Sequence, residues 1–182
     1  MVRCDRRQDA YAFKNQLMSI KENEMEDTLE VKIVHLEPLY VASFPAYGPA
    51  PEDEAWERLV TWAKPLGLLA DPEKHRIFGF DTAGQSPSTQ NRGYEFWIEV
   101  EPGFQPEGEV KIKAFSGGKY AVYRIQKVGN PWDTIPSSWK ALVLWQEDSP
   151  YKMGKAQCLE QHIGFADTPL AECSMDLYLS IE

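Results

Sequence analysis

Two segments of the chain, residues 94–100 and 174–181, alternate between apolar side chains and a second set that mixes acids with large aromatic rings. Successive side chains of a β-strand point to opposite faces, so each segment predicts a strand with one apolar face and one polar-aromatic face. A carboxylate among rings can hold a flat, apolar cation, because each ring attracts the cation by roughly 0.5–2 kcal/mol and the acid supplies the countercharge. The residues of the predicted polar-aromatic face are Glu95, Trp97, Glu99, Asp176 and Tyr178.

A further acid, Glu160, lies in a third segment with the alternation of a strand, residues 158–163. In this segment Glu160 lies on the same side of the strand as Cys158 and His162. We therefore place Glu160 on the polar-aromatic face beside Trp97 and Tyr178, where it supplies the countercharge of the cation. The alternative is that both rings are surface-strand aromatics and Glu160 is solvated, as is common on the exposed face of an antiparallel sheet. The equivalent position in the first half of the chain is Gly79, so the two halves differ at this point.

The elements that must position these residues occur twice in the chain. Residues 56–62 carry Trp at the first and seventh positions and Leu-Val at the fourth and fifth, and residues 139–145 repeat all four. The spacing of the apolar residues predicts an amphipathic helix for each copy, the first of them over residues 53–64. A lead-in rich in Pro and polar residues precedes each helix, at residues 49–54 and 131–138.

Runs of β-branched and aromatic residues flank both helices and end in Gly and Pro turns, which predicts strands before and after each helix. The chain is therefore two copies of one strand–helix–strand–strand unit, residues 30–101 and 108–182. We predict an α+β domain in which two pseudo-twofold-related repeats form one largely antiparallel sheet, with the helices on one face and a ligand groove on the other. Residues 1–29 differ in composition and form an N-terminal extension, helical over residues 9–26 or partly ordered.

The composition limits the classes of function. A formal charge of −9 and a pI near 4.9 argue against non-specific nucleic-acid binding, which needs clustered Lys and Arg, and fit a soluble protein or a site that attracts cations. No apolar run is long enough to span a membrane and the polar N-terminus is unlike a signal peptide, so we expect a cytoplasmic location. Three cysteines without a CxxC pattern and three histidines in unrelated segments predict no metal site, no cofactor and no Ser-His-Asp triad.

A resemblance to a known family covers residues 30–182 and rests on three pairs of segments: residues 31–49 with 55–59, residues 94–100 with 118–123, and residues 158–160 with 176–181. Their sequences, order and spacing are similar to those of the GyrI-like family, which is also described as the effector-binding domain of AraC- and MerR-type bacterial transcription regulators. The resemblance implies two strand–helix–strand–strand modules around one antiparallel sheet, with the helices on one side and a ligand groove on the other.

The resemblance also implies which residues meet a ligand. Glu160 matches the family's central pocket glutamate, which contacts cationic or polarised ligands. The other implied wall residues are aromatic: Trp97 and Tyr178 at matching pocket positions, Trp132 in place of the aromatic after the Gly-Pro turn, and Tyr123 and Tyr47.

These expectations leave three functions open. The leading hypothesis is a stand-alone domain that binds hydrophobic, aromatic or cationic small molecules, with broad specificity because stacking and one charge supply the attraction. The first alternative is a hydrolase of strained-ring electrophiles, an activity of some members of the family, in which Glu160 is the base or positions the water. The second alternative is a protein-binding modulator. The family's regulators carry a DNA-binding region before this domain and residues 1–29 do not resemble one, so we expect no direct nucleic-acid binding by this chain.

Overall fold

The computed structural model describes residues 29–82, 91–106, 108–164 and 168–182. Within these residues one eight-stranded sheet carries two helices, and every pair of neighbouring strands is antiparallel. The helical prediction for the N-terminal extension lies outside the described residues. The elements are β1 (Val31–Leu36), β2 (Leu39–Gly48), α1 (Pro51–Ala63), β3 (Ile77–Thr82), β4 (Arg92–Val100), β5 (Lys111–Phe115), β6 (Gly118–Ile125), α2 (Pro131–Asp148), β7 (Leu159–Ile163) and β8 (Ser174–Ser180).

Both helices begin earlier than the sequence predicts, each with a proline in the first turn. Proline fits this position because its fixed φ suits a helix and the missing N–H has no partner there in any case. Helix α1 begins at Pro51, and α2 begins at Pro131 after an N-cap, Asn130, whose side chain accepts a hydrogen bond of 3.2 Å from the backbone N–H of Trp132. Residues 131–138, predicted as a lead-in, are therefore the first two turns of α2.

The predicted α+β fold with two repeats in one antiparallel sheet is confirmed. The strand order is β1-β6-β8-β7-β3-β4-β2-β5, so equivalent strands of the two repeats lie at equal distances from the two edges. The pseudo-twofold axis passes between β3 and β7. The first strand of each repeat pairs with the other repeat, β1 with β6 and β5 with β2, which joins the halves into one unit.

Two short links curl this sheet. Strand β1 lies at one edge and β2 next to the other edge, yet only Glu37 and Pro38 connect them, and this link spans at most about 11 Å. Strands β5 and β6 are likewise at and next to opposite edges, and two residues, 116 and 117, connect them. The two ends of the sheet must therefore approach each other. They meet at Gly117, where φ is 69° and a Cβ would lie 2.0 Å from the carbonyl oxygen of Leu36. Only glycine fits there.

The two faces of the sheet bury different sets of side chains. On the helix face, as predicted, the apolar residues of β4 pack with α1: Phe96, Ile98 and Val100 against Ala55, Leu59 and Ala63. The opposite face, called the ring face below, is buried by the curl of the sheet and is defined by Leu36, Leu39, Val41, Phe78, Phe80, Trp97, Tyr120, Val122, Leu159 and Tyr178. Neither described helix is long and apolar enough to cross a membrane.

Candidate functional site

A cavity of about 510 Å³ lies between the N-terminal turns of α1 and α2, over the middle of the sheet. Its floor comes from β3, β4 and β7, and its walls come from the two helices and the turns before them. The volume falls in the range of small-molecule sites, roughly 300–1,000 Å³. The lining residues are Pro49, Ala50, Glu52, Asp53, Trp56, Asp81, Arg92, Tyr94, Phe96, Pro131, Trp132, Ile135, Pro136, Glu160, His162 and Leu170.

Glu160 lies on the floor of this cavity and both of its carboxylate oxygens accept a hydrogen bond. The hydroxyl of Tyr94 donates to Oε2 over 2.8 Å, and the indole N–H of Trp139, on α2, donates to Oε1 over 2.8 Å. Two rigid aromatic side chains thus orient one half-buried carboxylate. The site therefore combines an oriented carboxylate with aromatic rings in the same cavity, among them Phe96 and Trp56, whose ring centroids are 5.5 Å apart.

The predicted placement of Glu160 on the same face as Trp97 and Tyr178 is wrong. Strand pairing puts Glu160 directly opposite Leu177 on one side and Gly79 on the other, and directly paired residues point to the same face. Leu159, the neighbour of Glu160, is the residue that shares the ring face with Tyr178. The polarity of Glu160 favours the face opposite the helices. The hydrogen bonds from Tyr94 and Trp139 allow this acid to lie on the helix face instead.

The predicted groove opposite the helices consequently becomes a packed layer. Trp97 is only 7 % exposed and donates its indole N–H to Glu95. The centroids of the Trp97 and Phe80 rings are 4.6 Å apart. Tyr178 is 8 % exposed and its hydroxyl donates to Gln161 over 2.7 Å. Both rings therefore contact other residues of the ring face, and the cavity that contains Glu160 lies on the helix side of the sheet.

Gly79 makes room for the hydrogen bond between Tyr94 and Glu160. A Cβ at this position would lie 2.2 Å from the hydroxyl oxygen of Tyr94 and 2.8 Å from its Cζ. The Tyr94 ring crosses the glycine to reach the carboxylate on the neighbouring strand. The repeats differ most clearly at Gly79 and Glu160. The structure explains this difference, because a glycine opposite the acid leaves room for the ring that donates to it.

Burial dominates the electrostatics of the floor. It raises the pKa of Glu160, against the effect of the hydrogen bonds from Trp139 and Tyr94, and the nearby acids add to the rise. Burial, and next the charge of Glu160, hold the pKa of Tyr94 well above its ordinary value, so its hydroxyl is protonated and can donate. Burial lowers the pKa of His162 to about 3, so this ring is neutral at physiological pH, where it packs edge-on against Phe96.

Charged groups also line the mouth. Arg92 donates two hydrogen bonds to the carboxylate of Glu52, one of them 2.6 Å from Nη2 to Oε2, and its Cζ lies 5.7 Å from the ring centre of Trp132. The carboxylate of Asp81 is 3.9 Å from Nη1. Trp132 is 73 % exposed, so most of its ring surface is accessible to solvent. Among the described residues, no cluster of Asp, Glu, His or Cys could hold a metal ion.

Of the six residues predicted to contact a ligand, the cavity brings together Glu160 and Trp132. Tyr123 is half-buried on β6 and does not line the cavity, and Tyr47 is 57 % exposed at the end of β2. Sequence reasoning missed Tyr94 and Trp139, the two donors to Glu160. The repeat of Trp139 was visible in the sequence, but its role as a donor depends on where α2 lies over the sheet.

Comparison with known proteins agrees with this fold. The model of a family described as GyrI-like small molecule binding domain matches residues 29–182. No protein with a curated description matches the chain. Four solved structures of three proteins have a similar fold.

The C-terminal domain of EcmrR is 15 % identical, with a TM-score of 0.64 over 86 % of this chain and 99 % of that domain. In the complex of EcmrR with DNA, the match spans only 65 % of the EcmrR chain. SAV2435, solved with tetraphenylphosphonium bound, is 12 % identical, with a TM-score of 0.50 over 85 % of this chain and 94 % of its own. A hydrolase from Listeria innocua is 8 % identical, with a TM-score of 0.59 over 89 % of this chain and 97 % of its own. At these identities the likeness concerns the fold alone.

Proposed function

The chain belongs to the family of GyrI-like small molecule binding domains, and on that premise we propose that it binds hydrophobic, aromatic cations in the cavity between α1 and α2. The cation is held over Glu160, between the rings of Tyr94, Phe96 and Trp56. The observation that carries this proposal is a half-buried carboxylate, fixed by two hydrogen bonds, on the floor of a cavity whose lining includes four large aromatic rings, those of Trp56, Tyr94, Phe96 and Trp132.

The energetics favour a cation over a neutral ligand. Burial disfavours the charged form of Glu160, as the raised pKa indicates, so the ionised acid is poorly solvated in the empty site. A ligand cation supplies the missing countercharge and strengthens the interaction further by excluding water. Rings such as Trp56 and Phe96 add stacking and cation–π attraction without demanding one ligand shape, which favours broad specificity within this class.

The ligand class is also supported by SAV2435, which shares the fold and was solved with tetraphenylphosphonium, a bulky aromatic cation. That ligand has no hydrogen-bond donors, so its recognition must rest on charge, shape and aromatic contact. A carboxylate between aromatic walls is a site of the same chemistry.

The test is titration of the protein with tetraphenylphosphonium, followed by the fluorescence of the cavity tryptophans and by calorimetry. We expect saturable binding that Glu160→Gln weakens roughly 30- to 100-fold, since a desolvated charge pair contributes about 2–3 kcal/mol. Glu147→Gln, which removes an exposed acid near the end of α2, is the matched control and is expected to bind like the wild type.

Tetraphenylborate, an anion of nearly the same shape, provides the second control and is expected not to bind. If Glu160→Gln binds the cation as tightly as the wild type, Glu160 is not the countercharge. If the borate binds as well as the phosphonium, the cavity selects apolar shape and not charge.

A second candidate function is hydrolysis of strained-ring electrophiles. It is favoured by the raised pKa of Glu160, since a base works best near the operating pH, and by the Tyr94 hydroxyl, which can donate to a leaving oxygen or nitrogen. A structure described as a hydrolase shares the fold. Incubation with an aryl epoxide, analysed for the diol, tests it: turnover that disappears in Glu160→Gln supports this function, and absence of turnover in the wild type rejects it.

A further inference from the structure

Arg92 is the one Lys or Arg among the described residues that line the cavity, and it faces a set of acids. Glu160 lies on the floor, and Glu52, Asp53 and Asp81 lie towards the mouth. His162 adds no positive charge, because burial holds its pKa at about 3. Arg92 is therefore the one fixed positive charge that a ligand meets among the described lining residues.

The guanidinium of Arg92 occupies a position with the chemistry of a cation site. Glu52 holds it with two parallel hydrogen bonds, and the ring of Trp132 lies 5.7 Å from its Cζ. A carboxylate with an aromatic face beside it is the same combination that surrounds Glu160 deeper in the cavity. The side chain of Arg92 thus acts as an internal occupant of this position at the mouth, here called the rim position and formed by Glu52, Asp81 and Trp132.

The two positions are close enough for one ligand to reach both. Gly79 is the direct partner of Glu160, and Asp81 lies two residues further along β3 on the same face. Diagonal neighbours of this kind have Cα atoms roughly 7–8 Å apart. A rigid molecule of two linked aromatic rings spans such a separation, with one end over Glu160 and the other at the rim position.

We propose that Arg92 determines how many positive charges the cavity accepts: it fills the rim position and so restricts the site to ligands with one cationic centre. A dication would place its second charge against the guanidinium, and this repulsion excludes it. Removal of Arg92 leaves the carboxylates of Glu52 and Asp81, beside the ring of Trp132, without this cation and available to the second charge. This inference rests on the proposed function, because it requires a cation at Glu160.

The test uses two flat probes of nearly the same shape, 1-methyl-4-phenylpyridinium with one charge and 1,1′-dimethyl-4,4′-bipyridinium with two. Calorimetry at one fixed ionic strength gives the affinity of each for the wild type, Arg92→Gln and the double variant Glu52→Gln/Arg92→Gln. We expect the wild type to prefer the monocation, and the ratio of dication to monocation affinity to rise at least about tenfold in Arg92→Gln.

The double variant distinguishes binding of the second charge at Glu52 from a general gain in cation affinity caused by removing one positive charge. It lacks the carboxylate that receives the second charge, so the affinity ratio is expected to fall back to within about threefold of the wild type. A ratio unchanged in Arg92→Gln, or one that stays equally high in the double variant, overturns the assignment. Should Arg92→Gln lack a folded thermal transition, Arg92→Met, which keeps the aliphatic stem over Trp132, replaces it.

The outcome also distinguishes the two proposals. If the monocation binds the wild type and is lost in Glu160→Gln while the affinity ratio never changes, the role of Arg92 is wrong and the proposed function stands. If neither probe binds the wild type or any Arg92 variant, both proposals fail together.

Discussion

The helices α1 and α2 occupy equivalent places in the two repeats, but they pack on the sheet differently. Four residues of α1 are buried, and small ones among them, such as Ala55 and Ala63, let the helix lie close to β2 and β4. Helix α2 buries one residue, Leu142, the equivalent of Leu59. The positions equivalent to the two alanines are Ser138 and Gln146, both half-buried.

The repeated tryptophans show the same difference. At the seventh position, Trp62 packs against Phe44 in the core beneath α1, with their ring centroids 5.4 Å apart. Its counterpart Trp145 instead stacks on Tyr151, in the segment after α2. At the first position, Trp139 donates its indole N–H to Glu160. Helix α1 closes the core and lines the cavity only with its first turns, whereas α2 is less buried and holds the acid of the candidate site.

The comparison teaches that duplication allows the helix of one copy to pack tightly on the sheet while the helix of the other holds the acid of a site, although residues of both copies line the cavity. A half-buried, poorly solvated carboxylate such as Glu160 is unfavourable for folding until a ligand neutralises it, so it requires support from elsewhere. The tightly packed first repeat and the pairing of β1 and β5 across the halves supply that support.

The largest expected effect comes from placing a leucine at equivalent positions where α1 and α2 face the sheet. Ala55→Leu should lower the free energy of unfolding by about 1–3 kcal/mol, because Ala55 is fully buried against the sheet. Ser138→Leu, at the equivalent position of α2, should change it by less than about 1 kcal/mol, because Ser138 is only half-buried. Urea unfolding measures both, and equal losses would contradict the contrast between the helices.

The next effect tests the position at which the repeats differ. Gly79→Ala places a Cβ against the Tyr94 hydroxyl and should displace this ring from Glu160. We expect a loss of roughly 1 kcal/mol in stability and about tenfold weaker binding of tetraphenylphosphonium. Gly48→Ala is the matched control, since a Cβ there has nothing within 4 Å. Unchanged affinity in Gly79→Ala would mean that Tyr94 does not position the acid.

The pH dependence tests the buried charge itself. The pKa of Glu160 is raised above 4.5 by burial, so the folded protein is increasingly penalised as pH rises from 4.5 through the raised value. Over this window the wild type should lose stability relative to Glu160→Gln, while its affinity for the cation should increase as the carboxylate ionises. Urea unfolding and calorimetry over a pH series measure the two trends. A stability difference that does not vary with pH would show that Glu160 is not desolvated.

The smallest effect is expected at the mouth. Trp132→Ala should weaken cation binding about two- to fivefold, equivalent to 0.5–1 kcal/mol for one exposed ring, and should leave stability unchanged. Trp132→Phe keeps an aromatic face and should retain most of the affinity. A large loss of stability in Trp132→Ala would instead make this residue part of the fold.

Much of the fold was predictable because its signals are local. Period-two alternation identified β4 and β8, and the repeated Trp and Leu positions identified both helices and the duplication. The sequence predicts a start of α2 that is too late, because Pro131 and Pro136 resemble a lead-in although Asn130 caps a helix there. Of the site, Glu160 and Trp132 were predicted and lie in one cavity, while Trp97 and Tyr178 lie on the ring face.

The sequence by itself determined which segments form strands and helices, that they occur twice, and that an acid replaces a glycine in the second copy. Such features depend on neighbours along the chain. Only the tertiary structure decided which face Glu160 occupies, since a shift of one residue in pairing moves every side chain of a strand to the other face. That register depends on β3 and β8, which flank Glu160 in space and are distant from each other in sequence. The donors Tyr94 and Trp139 reach the carboxylate through the same long-range packing.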